Sequence, residues 1–138
     1  MIASAVAQER DLFRAPRAIT VDPVRLRAAD VAVAHARRFV NLPPFEIVWV
    51  RAPSGYLGET DFYGHNGHIE IRLRADLPAR ECEAATFREG LLIVLHELGH
   101  VADARIIERM THQEAESRAW AFAGEVLWTI DILEEMKR

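Results

Sequence analysis

The chain lacks several features that would place it in a specialised class. It has one cysteine, Cys82, in 138 residues, which excludes an intramolecular disulfide framework and a zinc site built from several thiolates. We interpret Cys82 as a small helical residue. The longest apolar run, residues 91–95, ends at His96 and falls far short of the roughly 18–20 residues of a membrane span. The net charge of −4 is unlike the basic balance of nucleic-acid binders, so we expect no direct nucleic-acid partner.

The remaining composition is that of an ordinary globular protein. Half of the residues are apolar and 28% are charged, and the length suits one domain. The first residues include a short apolar run with no basic residue before it, so no signal peptide is predicted. We therefore expect a single domain over residues 1–138, located in the cytoplasm and without a membrane partner.

The first half of the chain predicts a helix followed by a small sheet. Residues 1–19 show no clear period and are predicted to form an arm, with a short helix as the alternative. Asp22 as N-cap and a proline at the first helical position predict a helix over 22–41. Strand-like segments over 45–74 predict a three-stranded antiparallel sheet. Residues 68–74 alternate between apolar and charged side chains, and the charged row favours an edge strand.

Two long helices are predicted to complete the domain. Apolar residues recur at helical spacing over 84–109 and again over 111–136. Thr111 and Glu114 form a capping-box pattern at the start of the second helix. Because helices and a small sheet are separated along the chain, the predicted class is α+β.

Residues 96–100 read His-Glu-Leu-Gly-His, which is the pattern H-E-x-x-H. In a helix, His96 and His100 share one face about 6 Å apart in rise, so two imidazoles can converge on one Zn²⁺ ion. Glu97 then lies beside the metal, where it can take a proton from a zinc-bound water. Gly99 leaves room for another backbone to approach closely.

A catalytic zinc usually has a third protein ligand, which we expect from the second helix. Asp103 lies in line with the two histidines and cannot converge on the same ion. It is interpreted either as a residue that hydrogen-bonds to a ligand or as an ordinary polar residue at the surface. If the two helices pack antiparallel, Glu116 reaches furthest back towards His100. Glu114 and His112 remain the alternatives.

The zinc motif and the helix after it resemble a known family. The second helix reads Glu116-Ser-Arg-Ala119-Trp-Ala-Phe122-Ala123-Gly-Glu-Val-Leu127, which is similar to the pattern E-x-x-A-N-x-F-A-x-x-L-L of ImmA/IrrE-type zinc metallopeptidase domains, a gluzincin-like group. The resemblance covers roughly residues 45–127 and places the family's third zinc ligand on Glu116, with Trp120 where the pattern has asparagine. It implies a minimal zincin fold, a zinc cofactor and a protein substrate such as a repressor or another regulatory protein.

These observations predict a zinc-dependent endopeptidase in which Glu97 is the general base. An extended peptide would add to the edge strand 68–74 through main-chain hydrogen bonds. The candidate donors for the oxyanion are Tyr56, Tyr63, His65, His68 and His112. The alternatives are a non-catalytic zinc-containing module that docks a partner at its edge strand, and zinc-dependent hydrolysis of a non-peptide amide.

Overall fold

The computed structural model describes residues 6–8, 18–51, 57–63 and 67–138. The elements in chain order are β1 (Val6–Gln8), β2 (Ala18–Thr20), α1 (Pro23–Phe39), β3 (Phe45–Val50), β4 (Gly58–Asp61), β5 (Ile69–Arg74), α2 (Glu83–Ala102), α3 (His112–Trp128) and α4 (Ile132–Lys137). Within the segment predicted as an arm, β1 and β2 form an antiparallel pair, and its residues 1–5 and 9–17 lie outside the described part. Four helices and a small sheet confirm the α+β class.

Helix α1 begins where the sequence predicts. The Asp22 side chain accepts a hydrogen bond from the amide of Val24 at 2.8 Å, and Pro23 occupies the first helical position. The helix ends at Phe39, two residues before the predicted end, because Val40 is already extended.

The three-stranded sheet is mixed, with the order β3-β5-β4. Strand β4 pairs antiparallel with β5, so that Gly58 lies opposite Leu73. Strand β3 lies on the other side of β5 and runs parallel to it, with Phe45 opposite Ile69. The prediction of an antiparallel sheet was therefore wrong. Alternation of apolar and polar residues reports which face is buried, and that pattern is compatible with either direction of pairing.

The prediction of an edge strand at residues 68–74 was also wrong, because β5 is central. The arginine in the middle of its charged face is paired within the sheet. Arg72 makes ion pairs with Glu59 at 2.8 Å and Asp61 at 2.6 Å on β4, and with Glu70 at 2.8 Å on its own strand. In a sequence, such paired charges look like the solvated charges of an edge. Within this sheet β3 and β4 are the two outer strands, one on each side of β5, and residues of β4 line the cleft described below.

Helix α2 lies at the centre of the core and is crossed by α1 and α3. Its buried apolar face packs with the inner face of β5 around Ile71 and Leu73. A Cβ atom at Gly90 would lie 2.8 Å from the Cβ of Ala28 on α1. One at Gly99 would lie 2.9 Å from the Cα of Ala119 on α3. Both crossings therefore depend on glycine.

The predicted helix over 84–109 was too long at its C-terminal end. Helix α2 ends at Ala102, and the amide of Asp103 bonds back to the carbonyls of Gly99 and His100. A turn follows, with a short 3-10 segment at Ile107–Arg109. No glycine or proline marks this end, so the usual stop signals were missing.

The predicted helix over 111–136 is divided into two helices. Its capping box is present, since the amide of Glu114 donates to Thr111 Oγ1 at 3.1 Å and the amide of Thr111 donates to Glu114 at 3.2 Å. Helix α3 ends at Trp128, and Asp131 caps the start of α4. Among the helices of the described ranges, none is both long enough and apolar enough to cross a bilayer.

Candidate metal centre

His96 and His100 lie one turn apart on the last part of α2. Both are buried, with 7% and 9% of their surface exposed. Their rings are nearly perpendicular, with centroids 4.9 Å apart. The helical spacing of the motif therefore brings two imidazoles to the same surface.

Glu116 completes the group from α3. One carboxylate oxygen lies 2.8 Å from Nε2 of His96, and the other lies 3.4 Å from Nε2 of His100. The ligand atoms of the three residues all lie within 4.8 Å of one another, so the group could hold a metal ion. Glu114 is used by the capping box, and His112 is exposed at the start of α3.

The donor set and its spacing fit a tetrahedral metal site. With metal–ligand bonds of about 2.0–2.1 Å, neighbouring ligand atoms in a tetrahedral zinc site lie about 3.3–3.4 Å apart. The two distances from the histidines to Glu116, 2.8 and 3.4 Å, are near this value, and the ligand atoms of all three residues lie within 4.8 Å of one another. Two imidazole nitrogens and one carboxylate oxygen are also the ligand types of hydrolytic zinc sites.

Two local contacts hold α3 next to α2 beside the site. Gly99 allows α3 to approach α2 closely at Ala119. Asp103, at the end of α2, accepts two hydrogen bonds of 2.8 Å from Arg118, two residues after Glu116. Asp103 therefore ties the two helices together.

Glu97 lies beside the three-residue group and is 6% exposed. Its carboxylate accepts a hydrogen bond of 2.8 Å from the hydroxyl of Thr60 on β4. Burial raises the pKa of Glu97 to about 7; the Thr60 bond opposes this shift, and the charges of Glu116 and Glu59 add to it. Thr60 is not among the residues predicted from the sequence, because nothing local connects it to Glu97, which lies 37 residues further along the chain.

Burial also lowers the pKa of His96, opposed by the charge of Glu116 and assisted by that of His100. This favours the neutral imidazole, which is the form that binds metals. Nδ1 of His96 is buried and has no hydrogen-bond partner among the described residues. The Trp120 ring lies against His96, with centroids 4.2 Å apart. Trp120 therefore covers the imidazole. This role was not predicted from the sequence, although Trp120 lies one helical turn after Glu116.

The group opens into a cleft of about 560 Å³. One wall is the edge strand β4 with residues 57–60, and the floor is α2 with Ile93 and the motif residues. The opposite wall consists of Ile107, residues 110–112 and Trp120. Glu97 and the three possible ligands are thus reached from a groove that has a sheet edge along one side.

The candidate hydrogen-bond donors are placed very differently. His112 lines the cleft. Tyr63 is 77% exposed and donates its hydroxyl proton to Glu108 of the 3-10 segment. His68 is exposed at the start of β5 and is not part of the cleft. Tyr56 and His65 lie outside the described residues.

Comparison of the chain with protein-family models, with curated proteins and with solved structures found no match. The resemblance to ImmA/IrrE-type domains accordingly stays a prediction, based on residues 96–100 and 116–127.

Proposed function

We propose that the chain is a zinc-dependent endopeptidase that cleaves a peptide bond of a protein substrate in the cytoplasm. One observation carries the proposal. Glu97 is a buried carboxylate beside a convergent group of two histidines and one glutamate, and all four line one open cleft. A purely structural metal site has no use for such a carboxylate.

Each residue of the site has a separate role in this proposal. His96, His100 and Glu116 would hold the metal, and the chemistry that zinc supplies in such a site is Lewis acidity towards water and a carbonyl. Glu97 accepts a proton from the attacking water and then donates it to the leaving amine. Thr60 keeps the carboxylate of Glu97 in place through its hydrogen bond.

The substrate runs along β4. This strand replaces residues 68–74 as the docking edge, because β5 is central. Gly58, Glu59 and Thr60 line the cleft, and the outer edge of a strand can pair with an extended peptide through main-chain hydrogen bonds. A repressor or another regulatory protein is the substrate type that the family resemblance implies.

The test of the general base is Glu97→Gln. The amide keeps the shape of the side chain but cannot accept the proton, so cleavage of an unfolded protein should fall by roughly 10²–10⁴-fold. Zinc content, measured by elemental mass spectrometry, should stay at the parent value. Glu125→Gln, an exposed change on α3, is the matched control. A Glu97→Gln variant that cleaves as fast as the parent would refute the assignment, and zinc-loaded parent that cleaves nothing would favour the non-catalytic module.

His112 is our choice for the donor to the oxyanion. Of the five candidate donors, it alone among the described residues lines the cleft. His112→Ala should lower kcat by about a hundredfold with little change in zinc content, whereas His68→Ala should change neither. Equal kcat values for the two variants would remove His112 from the mechanism.

A further inference from the structure

Helix α3 carries a row of exposed aromatic side chains that begins at the metal centre and extends beyond it. Trp120, Gly124 and Trp128 recur at four-residue spacing, and the two tryptophans are 54% and 91% exposed. A Cβ atom at Gly124 would meet nothing within 4 Å. The row is therefore two projecting rings with an open dip between them, which we call the tryptophan ridge.

The ridge begins inside the cleft. The Trp120 ring lies 4.2 Å from that of His96 and forms part of the cleft wall. Trp128 lies two helical turns further on, about 12 Å along the axis. The dip at Gly124 lies eight residues beyond Glu116 on the same helix, which is also about 12 Å along the axis. An extended peptide rises about 3.3 Å per residue, so roughly four residues of a bound chain separate the metal centre from the dip.

Core packing does not account for Trp128. Its neighbours Phe122 and Leu127 pack against the main hydrophobic core, whereas Trp128 remains almost fully exposed. Paired exposed aromatics of this kind are typical of binding surfaces.

The size of the ridge favours a peptide over a second copy of the chain. Two tryptophan side chains bury at most about 500 Å². A stable interface between two proteins needs about 800 Å² on each partner. The ridge is therefore too small for dimerisation, but it suits a few residues of an extended segment that also occupies the cleft.

We propose that the tryptophan ridge is an extension of the cleft that binds a large apolar side chain of the substrate, about four residues from the position held at the metal centre. The apolar side chain lies in the dip at Gly124, between the two rings. This inference rests on the proposed function for its substrate class, but it concerns binding, so it can be tested without cleavage.

The experiment measures binding by the zinc-loaded, full-length Glu97→Gln variant. Pools of random synthetic peptides with three and fourteen residues are offered, so that only the longer peptides can reach from the metal centre to the dip. The retained peptides are sequenced by mass spectrometry. The long peptides that are retained should be enriched in Phe, Leu or Trp about four residues from the residue that is held at the metal centre. Adding Trp128→Ala should weaken retention of long peptides on the order of tenfold and leave short ones unchanged. Adding Glu125→Ala, three residues earlier on the same helix, is the matched control.

Each alternative has its own result. If Trp128→Ala retains the same long peptides as its background, the ridge takes no part in binding and the inference is wrong. If sedimentation shows a dimer that Trp128→Ala turns into a monomer, the ridge is an interface between copies, which also overturns it. If the ridge-dependent peptides are bound but the parent does not cleave them, the ridge stands and the peptidase proposal fails.

Discussion

Helix α2 is crossed by α1 and by α3, and at both crossings a glycine of α2 allows the other helix to approach closely. Gly90 allows α1 to approach at Ala28, and Gly99 allows α3 to approach at Ala119, with closest distances of 2.8 and 2.9 Å to a Cβ placed at each glycine. The backbone geometry is thus similar at both places. What differs is the set of polar side chains beside each crossing.

At the α1 crossing the buried charge is matched. The guanidinium of Arg25, a residue that is 3% exposed, donates to the Glu89 carboxylate at 2.8 Å and to the Pro78 carbonyl at 2.6 Å. At the α3 crossing, two buried imidazoles and a carboxylate converge on one another. The nitrogen and oxygen atoms of these three side chains could together hold a metal ion.

The comparison separates stability from function within a single helix. A close helix crossing provides a rigid frame, and the side chains next to it decide whether the frame only holds the fold or presents ligands. Paired variants at the two crossings can therefore show which effects belong to the metal and which belong to packing.

The largest difference between the two crossings is expected when the glutamate beside each of them is replaced by alanine. Glu116→Ala deletes the third donor, and zinc affinity should fall by at least about a hundredfold. Glu89→Ala leaves Arg25 buried without its carboxylate, which should lower the free energy of unfolding by roughly 2–3 kcal/mol with zinc affinity unchanged. Competition with a chromophoric chelator and urea unfolding measure the two effects. Unchanged zinc binding by Glu116→Ala would transfer the third ligand to Glu114 or His112.

An intermediate effect is expected from adding the same methyl group at both crossings. Gly90→Ala and Gly99→Ala should each cost about 1–3 kcal/mol through overpacking, less the gain of up to about 1 kcal/mol for alanine over glycine in a helix. Only Gly99→Ala should weaken zinc binding, because it pushes Glu116 away from the histidines. An equal loss of zinc affinity in both variants would show that the metal site merely follows overall stability.

The smallest effect is expected at the ion pair that ties α2 to α3. Arg118 is largely exposed, with 55% of its side chain accessible. Asp103→Asn should therefore leave the free energy of unfolding almost unchanged and change zinc affinity by only a few-fold. The exposed pair of Lys137 with Glu134 on α4 is a suitable control for removal of a surface charge. A tenfold loss of zinc affinity in Asp103→Asn alone would mean that the pair aligns Glu116.

The helix signals in the sequence were reliable where they were local. Asp22 and Thr111 cap the helices that they were predicted to cap. Antiparallel packing of the two helices predicts that Glu116 reaches back towards His100, and the two side chains lie 3.4 Å apart. The end of α2 could not be located, because residues 103–110 contain neither glycine nor proline.

The sheet was harder to predict for a physical reason. Alternation in residues 68–74 correctly indicates one buried face, since Ile71 and Leu73 are buried. It carries no information on whether the charges of the other face meet solvent or the charges of another strand. The ion pairs of Arg72 depend on strand order, which is a property of the whole sheet.

The sequence by itself determined what depends on near neighbours: the helix caps, the pairing of His96 with His100 on one helix face, and the apolar face of β5. The tertiary structure alone decided that β4 is the edge along the cleft, that Thr60 bonds to Glu97, and that Trp120 covers His96. Local patterns follow from fixed helix and strand periods. Contacts between distant segments depend on how complete elements pack, and no short stretch of sequence encodes that packing.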